Sequence, residues 1–183
     1  MGEHLLLVGM MGTGKTTTGR ILATRLGRPH VDTDEEVERR TGVSVREVFA
    51  AQGEPAFRRH EAAVLASVLA SDVPSVVSVG GGAVLDPANR DAMRAAGTVV
   101  WLRARPDTLA QRVGDGQDRP LLGAVSGDAR RRELGRMDLS RRALYRDVAT
   151  VTVDVDHLDA AAAADCVIAS VGRVERDHRE VHP

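Results

Sequence analysis

The clearest chemistry in the chain lies at positions 9–16, Gly9-Met10-Met11-Gly12-Thr13-Gly14-Lys15-Thr16. A glycine-rich turn with this spacing, ending in Lys-Thr, lets successive backbone N–H groups wrap a phosphate. The helix expected to open at Lys15 would add its positive dipole end. Lys15 would reach the β- and γ-phosphates and Thr16 would offer its hydroxyl to Mg²⁺. Lys15 is the chain's one lysine, every other basic position being arginine. A compact ammonium between phosphates is not replaceable by a planar guanidinium, which accounts for the exception. The stretch predicts a nucleoside triphosphate site around Gly12, Thr13, Gly14, Lys15, Thr16 and Thr17.

Four further groups have residue types that do chemistry, each with a purely structural alternative. Asp32 and Asp34 flank Thr33 at an expected strand end, so their side chains diverge and can serve different partners. Asp34 reads equally well as the cap of a helix beginning at Glu35. Arg58 and Arg141 fit either anion recognition by a forked guanidinium or a solvated helix face. Glu61, three residues beyond Arg58, shares its helix face and could hold that guanidinium. Gly80-Gly81-Gly82 suits a ligand approaching the backbone, or a tight turn. Arg119 sits in the loop Gly114-Asp115-Gly116-Gln117-Asp118-Arg119-Pro120, whose glycines suit a mobile lid. His178 and His182, four apart near the C-terminus, read as part of a solvated tail.

These groups are strung along alternating strand and helix signals. Apolar runs at 4–9, 28–32, 75–79, 98–102 and 150–155 predict five strands. Helices are expected at 15–26, from 34, at 44–51 behind the capping box Ser44-x-x-Glu47, and at 54–71, 87–96, 106–113, 128–147 and 159–171. The pattern predicts an α/β fold, a five-stranded parallel sheet with helices on both faces, ligands lying at the carboxyl ends of the strands. We expect one domain over residues 1–172, with substrate-binding helices at about 34–61, a lid at about 113–126 and a polar tail over 173–183.

At 183 residues and a net charge of −1, the chain lacks the basic face that a nucleic-acid partner requires. Aromatic residues make up only 2%, too few for base-stacking platforms. The one cysteine, Cys166, cannot form an internal disulfide and suits a reducing cytoplasm. No apolar run approaches the length of a membrane span. A cytoplasmic monomer without membrane or nucleic-acid partners is expected.

GTPases of the Asn-Lys-x-Asp type are excluded, because the single lysine is committed to the phosphate loop. Motor and transport ATPases carry a strand ending in Asp for Mg²⁺, whereas the strand at 75–79 runs into glycines. A small-molecule or nucleotide kinase remains. The chain, from His4 to about Gly172, resembles the shikimate kinases. The resemblance rests on the phosphate loop, Asp32-Thr33-Asp34, Phe57-Arg58-Arg59-His60-Glu61, Gly80-Gly81-Gly82-Ala83, Arg119-Pro120-Leu121-Leu122 and Arg141-x-x-Leu144-Tyr145, in the family's order.

The resemblance implies transfer of the γ-phosphoryl group of ATP, with Mg²⁺, to the 3-hydroxyl of shikimate in the route to aromatic amino acids. It implies that Asp32 supports the metal shell through water and that Asp34 contacts the acceptor hydroxyls. It also implies that Arg58 and Arg141 clamp the shikimate carboxylate beside the backbone at Gly80 and Gly81. Arg112 would stack on adenine and Arg119 would close over the phosphates; Phe49 and Phe57 match apolar walls. Arg59 and Arg142 are expected to be surface charges. Asp156-His157-Leu158 departs from the family, which commonly places a basic residue near the adenine there. A gluconate- or nucleoside-monophosphate-type kinase, and a non-enzymatic ATP-binding regulator, stay open as alternatives.

Overall fold

The computed structural model describes residues 3–113 and 127–181. Its five strands are β1 (His4–Val8), β2 (His30–Asp32), β3 (Val76–Ser78), β4 (Gly97–Arg103) and β5 (Val151–Asp154). All pair in parallel in the order β2-β3-β1-β4-β5. Leu6 of β1 lies opposite Val77 of β3 and Val99 of β4. Every residue of β1 and β3 is buried. Since successive side chains point to opposite faces, both faces of the central sheet must be covered, which is why these strands read as unbroken apolar runs.

The covering helices are α1 (Lys15–Leu26), α2 (Thr33–Thr41), α3 (Val45–Leu69), α4 (Pro87–Ala96), α5 (Pro106–Val113), α6 (Gly127–Val148) and α7 (Ala160–Val181). Helix α1 packs on α7 and β3, whereas α4 and α6 pack on each other and on β4. The main core runs through Leu6, Leu7, Leu22, Val77, Val100, Leu102, Leu134 and Tyr145. A smaller apolar cluster of Val37, Val48, Phe57 and Val64 ties α2 to α3. No described helix is long and apolar enough to cross a membrane.

Local rules account for most boundaries. Ser44 and Glu47 form the expected reciprocal capping box, and Asp86 caps α4 with Pro87 in its first turn. The helices expected at 44–51 and 54–71 form one element, α3, broken by non-helical torsions at Gly53 (φ 77°, ψ 171°). Two expectations change. The cap of α2 is Asp32, whose Oδ1 accepts from the N–H of Asp34 at 3.0 Å; Asp34 lies inside the first turn. The separate polar tail from residue 173 continues α7 as far as Val181. No stop signal follows Gly172, and a helix already nucleated extends at little cost.

Candidate active site

Strand β1 is central, with β3 on one side and β4 on the other, so the turn leaving its carboxyl end opens where the strand order reverses. That turn is the glycine loop. Gly12 and Gly14 adopt φ 83° and 87°, a region that L side chains rarely enter. At Gly12 a Cβ would also stand 2.8 Å from Val113 Cγ2. Gly14 precedes α1 with no side-chain cap, leaving the first-turn N–H groups for an anion. Lys15 folds back over the loop, its Nζ donating to the carbonyls of Gly9 at 2.9 Å and Met10 at 3.1 Å. Thr13 turns inward, its Oγ1 donating to the Met10 carbonyl at 2.9 Å. Its side chain therefore braces the loop from beneath.

Thr16 on α1 and Asp32 at the end of β2 meet directly, Thr16 Oγ1 donating to Asp32 Oδ2 at 2.6 Å. A hydroxyl and a carboxylate oxygen side by side are the hard donors that Mg²⁺ prefers. Among the described residues no group of three or more His, Cys, Asp or Glu could hold a metal alone. The pair fits a cation shared with the phosphates of a nucleotide, since Mg²⁺ is bound by few carboxylates in such sites.

Across the cleft, the glycine turn after β3 is built around charged side chains. The Gly80 N–H donates to Thr33 Oγ1 at 2.8 Å, joining the turn to the start of α2. A Cβ on Gly80 would stand 2.8 Å from Asp34 Oδ1 and collide with Glu61 Oε1; one on Gly82 would collide with the Arg58 guanidinium. None of the three glycines has a positive φ. They are glycine because the space a side chain would take is filled by Asp34, Glu61 and Arg58.

Arg58 is held by two carboxylates: its Nη1 donates to Glu61 Oε2 at 2.7 Å and its Nη2 to Glu54 Oε1 at 2.9 Å. Glu61 is only 2% exposed. Burial pushes its carboxyl above the usual range, Arg58 pulls the other way and Asp34 adds to the rise. Arg141, buried on α6, directs Nη1 toward the Gly81 carbonyl at 3.4 Å. Phe49 and Phe57 pack together with ring centroids 4.6 Å apart. Arg59 is exposed and Arg142 pairs with Asp138, the surface roles expected of them.

One cleft of about 560 Å³ gathers these groups, lined by Gly12, Gly14, Lys15, Thr16, Thr17, Asp32, Asp34, Arg58, Gly80, Gly81, Arg112 and Arg141, with Phe49, Phe57 and Glu61. Thr13 lines a neighbouring hollow with Thr17, Arg112 and the segment after β5. In that hollow Arg112 donates to the carbonyls of Val155 at 2.7 Å and Leu158 at 3.0 Å. Asp156, the departure noted above, accepts from Thr108 Oγ1 at 2.6 Å and from the Arg105 N–H at 2.9 Å. It ties α5 to the loop after β5. Arg119 and positions 114–126 of the expected lid lie outside the described residues.

Sequence reasoning left Tyr145 without a role. Its hydroxyl donates to the Gly81 carbonyl at 2.6 Å from a wholly buried position. Its only signal was composition: a single tyrosine in a chain nearly devoid of aromatic residues.

A phosphate loop facing a pocket of arginines and carboxylates, on a five-stranded parallel sheet, defines a small-molecule kinase of the P-loop fold. The family model for shikimate kinase matches residues 11–171. The shikimate kinase of Symbiobacterium thermophilum is 48% identical over 84% of this chain and 87% of that protein. A solved shikimate kinase from Acinetobacter baumannii, in complex with shikimate, superposes with a TM-score of 0.86 at 34% identity over 92% of each chain. A gluconokinase from Sinorhizobium meliloti, at 21% identity and a TM-score of 0.65, shares the fold over 99% of this chain and 98% of its own. The chain belongs to the shikimate kinase family.

Proposed function

We propose that the cleft carries the γ-phosphoryl group of ATP to the 3-hydroxyl of shikimate, giving shikimate 3-phosphate and ADP. The observation that carries this reading is the pairing of Lys15 and Thr16 on one side of one cleft with Arg58 and Arg141 on the other, Asp34 between them. The α1 N-terminus and the loop N–H groups receive the phosphates, and Lys15 exchanges its two carbonyl partners for phosphate oxygens. Mg²⁺, held by Thr16 and supported by Asp32, would neutralise the phosphate oxygens when bound. Arg58 and Arg141 take the acceptor carboxylate, for which a guanidinium has matching geometry. Asp34 accepts a hydrogen bond from the attacking hydroxyl and aligns it for in-line displacement. Thr13 holds the phosphate loop, Thr17 and Arg112 border the base, and Arg119 closes over the β- and γ-phosphates.

The N–H groups of Gly81 and Gly82 make no hydrogen bond among the described residues. That leaves this turn able to donate to the acceptor, as proposed for Gly80 and Gly81. The reading is tested by ADP release from the purified protein with MgATP and, separately, shikimate, gluconate or a nucleoside monophosphate. Release with shikimate alone is expected. Equal release with gluconate would move the acceptor assignment, and ATP binding without release would make the protein a nucleotide-binding regulator.

A further inference from the structure

We infer that Tyr145 is a positioning residue for phosphoryl transfer, its hydroxyl fixing the Gly81–Gly82 peptide against the phosphate loop. The inference rests on the acceptor site proposed above. Three elements meet at this one hydroxyl. It donates to the Gly81 carbonyl at 2.6 Å, lies 3.8 Å from Met10 Sδ in the phosphate loop, and belongs to the helix that carries Arg141. A Cβ on Gly81 would stand 3.2 Å from the Gly9 carbonyl oxygen and 3.5 Å from the Tyr145 hydroxyl, so the turn is wedged between loop and tyrosine.

The peptide bond is planar and trans. Holding the Gly81 carbonyl on Tyr145 therefore aims the Gly82 N–H the opposite way. The ring itself is fixed by stacking on Trp101 at a centroid distance of 5.8 Å. Burial keeps the hydroxyl protonated, its pKa raised even with Arg141 alongside. It remains a donor at every working pH, as a carbonyl anchor requires. Without it, the Gly81 carbonyl would keep only the longer 3.4 Å contact to Arg141, and that guanidinium would be drawn from its acceptor.

The test begins by establishing shikimate-dependent turnover in the wild-type protein; absence of turnover would defeat the functional reading and is a separate result. Tyr145→Phe removes only the hydroxyl. We expect the KM for shikimate to rise about tenfold, the size of one buried hydrogen bond, with the Kd for ATP within about twofold. Trp101→Phe serves as a control that loosens the same core and keeps the hydroxyl. It should lower the melting temperature while leaving both constants within about twofold.

A second readout does not depend on either variant folding. Tyr145 is the chain's single tyrosine, so 3-fluorotyrosine incorporation gives one ¹⁹F resonance from this site. That resonance should shift on saturation with shikimate without nucleotide. Unchanged shikimate KM in folded Tyr145→Phe, or a resonance that shikimate leaves in place, would overturn the inference.

Discussion

The two sides of the cleft are made of different material. The donor side is backbone, a single short loop leaving β1, with glycines at left-handed torsions and one lysine laid across it. The acceptor side is side chains, drawn from α2, α3 and α6 and packed against a glycine turn that has ordinary torsions. Glycine serves opposite ends in the two places. In the loop it permits a conformation; in the turn it vacates space for Asp34, Glu61 and Arg58. A phosphate is recognised by converging N–H dipoles that any sequence with the right torsions supplies. A carboxylate and a hydroxyl on a small ring need charged groups held at specific places, and these must be buttressed one by one.

The largest effect should come where the two sides meet. Asp34→Asn keeps the shape and removes the charge that orients the hydroxyl. We expect kcat to fall on the order of 10² to 10⁴ while both ligands still bind. A loss smaller than tenfold would reduce Asp34 to a contact for the acceptor. On the donor side, Lys15→Met should lower kcat by about 10² to 10³, in line with losing one preorganised cation from the transferring charge. Equilibrium binding of shikimate, measured by calorimetry, should be untouched if the two sides are independent.

Arg58→Lys probes the acceptor side. A lysine has no fork to span a carboxylate while holding Glu61 and Glu54, so the shikimate Kd should weaken roughly 30-fold, about 2 kcal/mol. ATP affinity should stay within about twofold. Parallel loss of both affinities, seen in the same titrations, would mean that the sides are mechanically coupled and the contrast drawn here is false.

The contrast also explains what the sequence disclosed. The donor loop is contiguous, so its torsional demands and its chemistry appear together in Gly9–Thr16 without help from elsewhere. The five strands were legible for a similar reason, since burial on both faces writes an unbroken apolar run. The acceptor side is assembled from distant positions. Arg58 and Arg141 taken alone are arginines among many, and only likeness to a family joined them. Asp32 and Asp34 were confused as caps because both lie within a residue of the helix start and either carboxylate suits an N-cap. The direct bond from Thr16 to Asp32 depends on how β2 is laid beside β3 and cannot be inferred from spacing. Glu61 was legible as a partner for Arg58, yet its near-complete burial was not, because a glutamate in a sequence looks exposed until the turn that covers it is in place.

That burial gives the smallest and sharpest of the predictions. Glu61 is pulled in two directions: burial raises its pKa and the Arg58 pair lowers it, with burial prevailing. A carboxyl whose pKa is higher folded than unfolded makes the folded state bind more protons between the two values. Its contribution to stability is therefore fully present below the ordinary glutamate value of 4.5 and is lost as pH rises to the raised folded value. Glu61→Gln removes the titration while keeping size and an acceptor oxygen for Arg58. The stability difference, wild type minus variant, should decline with pH above 4.5 and level off once Glu61 is ionised in both states; urea unfolding midpoints at half-unit steps would trace it. A difference that instead grows with pH would mean that pairing with Arg58 outweighs burial. The acceptor side would then be held by ionic attraction rather than by packing, and Arg58→Lys should in that case cost far more stability than affinity.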